Sequence, residues 1–171
     1  MYSALAEVLA EDGFDISREE IIEGLETAEH AGRLELDERT RPPLLYDGAH
    51  NVAGARALRQ YLDEFAPRGV TLVFGAMRDK ELEEIARVLF PAARHLVLTA
   101  PDNPRAASVE RLLRAVPVPP SSSTIALAPS SRDALVIART HTPPDGLVCV
   151  TGSLYLVGEV KAQLETNAGE S

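Results

Sequence analysis

The chain predicts an α/β fold: a largely parallel sheet with helices on both faces, preceded by a short helical segment. Three observations predict it. From Leu44 onward, short apolar runs of strand length alternate with longer runs of helical period. Each helical run is long enough to carry the chain back across the sheet, so the strands it joins run parallel. Polar residues gather just after the apolar runs, at the strand ends where open α/β sheets meet ligands.

The elements follow in order. Tyr2–Ala10 reads as an amphipathic helix broken by Asp12-Gly13. A second helix starts on a capping box, Ser17 and Glu20, shows an apolar face of Ile21, Ile22 and Leu25, and ends near His30. Gly32–Leu36 is a short strand candidate, and Asp37–Pro43 is polar and ends in proline, hence a loop. Strands are expected over Leu44–Asp47, Val70–Phe74, His95–Thr99, Ile125–Leu127 and Leu147–Val150. Helices are expected over Asn51–Phe65, Lys80–Leu89, Ser108–Ala115, Ser131–Thr140 and Leu154–Leu164. Pro117–Ser123 reads as a surface loop, and Thr166–Ser171 as a frayed tail. Two helices and one short strand cannot bury a core unaided. The chain therefore divides into residues 1–40, the end of something else, and an α/β part over residues 41–171.

Composition excludes several classes. Net charge is −9, and Lys80 and Lys161 are the only lysines. Such a balance argues against non-specific nucleic-acid binding, and it fits a GC-rich genome or a salt-adapted surface. No apolar run approaches a membrane span and no leader-like segment opens the chain. Cys149 is the only cysteine and sits in an apolar run, which excludes a disulfide scaffold and speaks against a cysteine metal site. The expected compartment is the cytoplasm, with no metal site in the chain.

Candidate chemistry collects at the predicted strand ends. Asp47, Gly48, His50 and Asn51 follow the first long strand. Gly75–Lys80, with Arg78 and Lys80, follow the next. Thr99, Asp102, Asn103 and Arg105 follow the third, and Thr151-Gly152-Ser153 follows the last. In a parallel sheet these termini share one edge. A helix starting at Asn51 offers free N–H groups and partial positive charge, which suit a phosphate or carboxylate, and Ala49, Ala53 and Ala55 leave room for close approach. Each cluster also has a plain structural reading. Asp47-Gly48 makes a turn with Asn51 as helix cap, and His50 is a hydrogen-bonded structural histidine. Arg78-Asp79-Lys80 is a solvated helix start, Gly152-Ser153 caps the last helix, and Arg105 is a loop arginine in water. The residues alone leave both readings open. His30, His95 and His141 receive no role. The P-loop, the dinucleotide fingerprint, the serine-hydrolase elbow and a His-x-x-x-His pair are all missing, so a self-sufficient nucleotide-hydrolysing site is not encoded here.

Five blocks in order resemble one family. Gly32-Arg33-Leu34-Glu35, Asp47-Gly48-Ala49-His50-Asn51, Val73–Lys80, Pro104-Arg105-Ala106 and Thr151–Glu159 resemble segments of folylpolyglutamate and dihydrofolate synthases, in the Mur ligase superfamily. The resemblance implies a Rossmann-like C-terminal domain after the helical end of a central ATP-binding domain and its hinge. It implies ATP-dependent joining of a folate or pteroate carboxylate to L-glutamate through an acyl phosphate, with Mg²⁺ and most of the ATP held by a P-loop domain in cis or in trans. By the same resemblance, Arg33 lies on the ATP phosphates, Asp47 on the ribose, and His50 near nucleotide and amino acid, with Asn51 beside them. Arg78, Lys80 and Ser153 are candidates for the glutamate carboxylates. Arg33 and His50 are the catalytic candidates. Two departures stand out: His30-Ala31 replace the family's Trp-Pro, and Val52 replaces the proline after the aspartate motif. The alternatives are a non-catalytic ligand- or protein-binding module and a different Mur-type ligase.

Overall fold

Alternation of apolar side chains along short strands lets one sheet bury both faces. The computed structural model describes residues 32–117 and 124–168; the expected helices over Tyr2–Ala10 and from Ser17 to His30, and most of the Pro117–Ser123 loop, lie outside them. Gly32–Ser171 forms one compact unit. Its strands are β1 (Glu35–Asp37), β2 (Leu44–Asp47), β3 (Val70–Phe74), β4 (Ala93–Leu98), β5 (Thr124–Leu127) and β6 (Val148–Thr151). Its helices are α1 (Val52–Phe65), α2 (Leu82–Leu89), α3 (Val109–Ala115), α4 (Ser131–His141) and α5 (Leu154–Ala168).

The strands form one sheet in the order β1-β2-β6-β3-β4-β5. All neighbours run parallel except β1, which pairs antiparallel with β2. The chain winds from β2 to β5 in one direction, and right-handed crossovers in one direction lie on one face. Leu45, Leu72, Phe74, Leu96, Leu98 and Cys149 accordingly share a core with Leu58 and Leu62 of α1, Ile85 and Leu89 of α2, and Leu112 of α3. The return to β6 reverses direction and moves to the other face. There Leu44, Tyr46, Val73, Val97 and Val150 pack on Ala134 and Ala138 of α4 and on Leu156, Val157 and Val160 of α5. Cys149 is core, and burial pushes its thiol up out of the reactive range.

Local signals set the helix ends. The Asn51 side chain caps α1 by accepting from Gly54 N–H (2.8 Å), and Pro67 follows just past its C-cap, Ala66. In α2 the spacing Leu82, Ile85, Ala86, Leu89 buries one stripe. Ser108 and Ser130 cap α3 and α4. Several bounds differ from the sequence expectation, most by a residue or two, and three of the differences are instructive. The first strand begins at Glu35 rather than Gly32, because Gly32 (φ 73) and Leu34 (φ 46) take left-handed backbone and make a turn. α2 starts at Leu82 rather than Lys80, since Arg78–Lys80 are tied into a loop. α5 runs on to Ala168, with the Thr166 hydroxyl donating to Ala162 O (2.9 Å). Among the described residues, no helix is long and apolar enough to cross a membrane.

Candidate functional site

Parallel register brings the strand ends to one edge. Asp47 lies opposite Thr151, Thr151 opposite Phe74, Phe74 opposite Leu98, and Leu98 opposite Leu127. The residues that follow these positions form the carboxyl edge of the sheet, and they fall into two clusters.

The first cluster is built on Asp47. Its side chain is buried, and both carboxylate oxygens accept backbone N–H groups, Oδ2 from Leu34 (3.0 Å) and Oδ1 from Ala49 (2.8 Å). Burial raises its carboxyl above the ordinary 3.8, against the opposing pull of those two N–H groups and of the positive charges of Arg33 and His50. Gly48 N–H donates to Gly32 O (2.6 Å). A Cβ on Gly48 would overlap the Leu154 side chain, so this backbone lies directly against the start of α5. His50 Nδ1 lies 2.8 Å from Gly48 O. A carbonyl only accepts, so Nδ1 carries the proton and Nε2 is left to face a partner. Arg33, at the apex of the Gly32–Leu34 turn, is exposed.

The second cluster joins the loops after β3 and β4. Arg78 N–H donates to Arg105 O (2.9 Å), Ala107 N–H to Ala76 O (2.8 Å), and Met77 bridges Ala106. Asp79 and Arg105 form an ion pair (2.8 Å), so Arg105 is a paired loop arginine. Arg78 is exposed and Lys80 half-buried. Ser153, two residues past β6, is buried, and its Oγ accepts from Leu156 N–H (3.1 Å), capping α5.

The carboxyl edge thus brings Arg33, Asp47, His50, Asn51 and Ser153 together around β2 and β6, and it carries Arg78 and Lys80 on the neighbouring β3 loop. Asn51 and Ser153 spend a side-chain oxygen on helix caps, and Asp47 spends both of its oxygens on the backbone. Thr99 and Thr151 hydroxyls are buried here with no partner among the described residues. Strand alternation sets Thr151 on the same side of the sheet as its register partner Asp47. Two residues that shape the cluster, Glu35 and Lys161, carried no sequence signal of a role. Among the described residues no group of three His, Cys, Asp or Glu is placed to hold a metal ion.

A doubly wound sheet whose carboxyl edge carries capped helix starts, small residues and an exposed arginine has the architecture in which open α/β domains present a ligand-binding edge. The chain belongs to the Mur ligase family, and the profile of that family's glutamate ligase domain matches residues 32–154. It is 35% identical over 147 residues to a probable bifunctional folylpolyglutamate synthase/dihydropteroate synthase of Haloferax volcanii, covering 86% of this chain and 17% of that protein. It superposes on Mycobacterium tuberculosis folylpolyglutamate synthase complexed with ADP with a TM-score of 0.78 and 31% identity, over 94% of this chain and 38% of that one. The Yersinia pestis bifunctional folylpolyglutamate synthase/dihydrofolate synthase with Mn, AMPPNP and L-glutamate bound gives a TM-score of 0.78 and 25% identity, over the same shares. The chain therefore spans well under half the length of these relatives.

Proposed function

We propose that this chain is the C-terminal part of an ATP-dependent ligase that joins L-glutamate to a folate or pteroate carboxylate. In this reading residues 1–40 are the helical end of a central ATP-binding domain with its hinge, and residues 41–171 are the C-terminal domain. A P-loop domain, in cis or in trans, completes the enzyme, and the chain alone does not turn over. Mg²⁺ is then held mostly outside this chain.

The observation that carries the reading is the Arg33 turn. An exposed guanidinium stands on a backbone anchored to Asp47 and Gly48, the residues that lead into α1. Activating a carboxylate by phosphoryl transfer spreads negative charge over the transferred group, and a positioned arginine stabilises it. Asp47 contributes by fixing the turn, and its remaining lone pairs are available to a ribose hydroxyl. His50 Nε2 serves the same rim. Arg78, Lys80 and Ser153 supply positive charge and a hydroxyl for the glutamate carboxylates. The folate-synthase relatives and the ADP- and glutamate-bound neighbours support this choice over another Mur-type ligase.

Titration of the chain with ADP and with adenosine, followed by amide chemical shifts, tests it. ADP should bind more tightly and perturb Arg33, Val52 and Ala53. Arg33→Ala should weaken ADP by about tenfold or more, the loss of one charge-assisted contact, and leave adenosine unchanged. Equal affinity for the two ligands would overturn the assignment.

A further inference from the structure

The Arg33 side chain makes no hydrogen bond or ion pair with any described residue, so among them the turn's backbone sets where the side chain starts and which way its Cα–Cβ bond leads. That backbone is held on both sides. Gly32 O accepts from Gly48 N–H (2.6 Å), and Leu34 N–H donates to Asp47 Oδ2 (3.0 Å). Gly32 N–H donates to Glu35 Oε2 (2.9 Å). Leu34 has φ 46, a region that disfavours leucine, so the turn persists only while its ties hold it.

Glu35 is in turn held from a distant part of the chain. Lys161 Nζ donates to Glu35 Oε1 (2.6 Å) and Oε2 (2.9 Å). Lys161 sits on α5 at helical spacing from Leu154 and Val157. Those two side chains are the atoms nearest to where a Gly32 Cβ would stand, at 3.2 and 3.4 Å. One stripe of α5 therefore lies beneath the turn, apolar under Gly32 and cationic under Glu35. The Lys161 ammonium also lies 5.6 Å from the centre of the Tyr46 ring; Tyr46 is the β2 register partner of Glu35. An ammonium is a compact charge, and it leaves Glu35 Oε2 able to accept the Gly32 N–H as well. Elsewhere this chain relies almost wholly on arginine; Lys161 is one of two lysines.

We propose that Lys161 is a positioning residue: acting through Glu35, it fixes the Gly32–Leu34 turn and so aims Arg33 at the phosphate ligand. The aim at phosphate rests on the function proposed above; the clamp itself does not. Consistent with the clamp, the Lys161 hydrogen bond, and then the Gly32 N–H, hold the Glu35 carboxyl below its ordinary 4.5.

The test uses Lys161→Met and, as a gentler change that keeps an acceptor for Gly32 N–H, Glu35→Gln. Arg59→Met, which breaks the α1 surface pair with Asp63, is the control. Amide exchange is followed at Gly32, Leu34 and Gly48 and, for the core, at Leu72–Phe74. Lys161→Met should speed exchange at the three turn amides by about tenfold or more and leave the core amides unchanged, with Glu35→Gln moving the same way by less. It should also weaken ADP about tenfold while adenosine is unaffected. Unchanged turn amides in both variants overturn the proposal, as does faster exchange that extends equally into Leu72–Phe74. Loosened turn amides with ADP and adenosine weakened alike also overturn it. If the unaltered chain shows no preference for ADP over adenosine, the phosphate role of Arg33 fails, and the exchange data alone decide whether Lys161 sets the turn.

Discussion

The two edges of one sheet solve opposite problems. At the carboxyl edge, side-chain oxygens of Asp47, Asn51 and Ser153 all accept backbone N–H groups. At the amino edge a cavity of about 540 Å³ is lined by Arg68, Arg94, His95, His141 and Asp145. There the polar groups mostly engage one another or helix carbonyls. His141 Nδ1 donates to Ile137 O (2.9 Å), His95 Nδ1 pairs with the Thr124 hydroxyl (2.6 Å), and the two rings stand 5.4 Å apart. Burial, the neighbouring His141 and Arg94 hold His95 below its ordinary 6.5. Volume alone does not make this the better anion site. Helices α1 and α4 end at this amino edge, and their last carbonyls carry negative partial charge. The start of α1 lies at the carboxyl edge and carries the opposite sign. Electrostatic direction, and not volume, separates the two edges.

The contrast breaks most readily at its acids. Asp47→Ala strands two N–H groups, of Leu34 and Ala49, and should cost about 3 kcal/mol in denaturant unfolding. Asp145→Ala at the amino edge removes only an exposed pair with Arg68 at 4.0 Å and should leave the unfolding free energy unchanged. Equal effects would show that Asp47 does not anchor its turn. Asn51→Ala should cost less, about 1 kcal/mol, the loss of one helix cap, and Asn51→Ser should recover most of it. A full recovery of stability without recovery of ADP affinity would give Asn51 a ligand contact besides the cap.

Much of this was legible in the residues. Strand and helix periods were strong from Leu44 onward because β3 and β6 are buried on both faces and α2 on one stripe. Asp47, His50 and Asn51 stood out because an acid, a glycine and a cap cannot follow an apolar run without meaning a turn. The Gly32–Leu34 turn was not legible: Gly-Arg-Leu-Glu-Leu has strand composition, and the ties to Asp47, Gly48 and the Lys161-held Glu35 bend it. Lys161 was hidden for a related reason. On α5 it reads as an ordinary solvated residue, and its partner lies 126 residues earlier. The pairing of Asp79 with Arg105 likewise joins two loops that sequence spacing cannot bring together.

The smallest effect distinguishes the two acids of the Arg33 turn by sign. Glu35 has a folded pKa below its ordinary 4.5, so its contribution is present above that value and is lost as pH falls through the folded pKa. Asp47 has a folded pKa above its ordinary 3.8, so the folded state binds its proton more readily, and stability gains as pH falls through the folded pKa. The two trends oppose each other, and the stability of the whole chain therefore understates both. Difference measurements separate them. The stability of the unaltered chain relative to Glu35→Gln should shrink below pH 4.5, whereas its stability relative to Asp47→Asn should grow as pH falls toward 3.8. Urea unfolding from pH 7 down to the acid limit of folding reads both. The groups facing this turn are Lys161 on α5, Asp37 on β1, Tyr46 on β2, and Arg33 and His50 beside Asp47. Lys161→Met should abolish most of the Glu35 trend and leave the Asp47 trend in place. Parallel trends for the two acids would mean that the Lys161 pair does not govern Glu35.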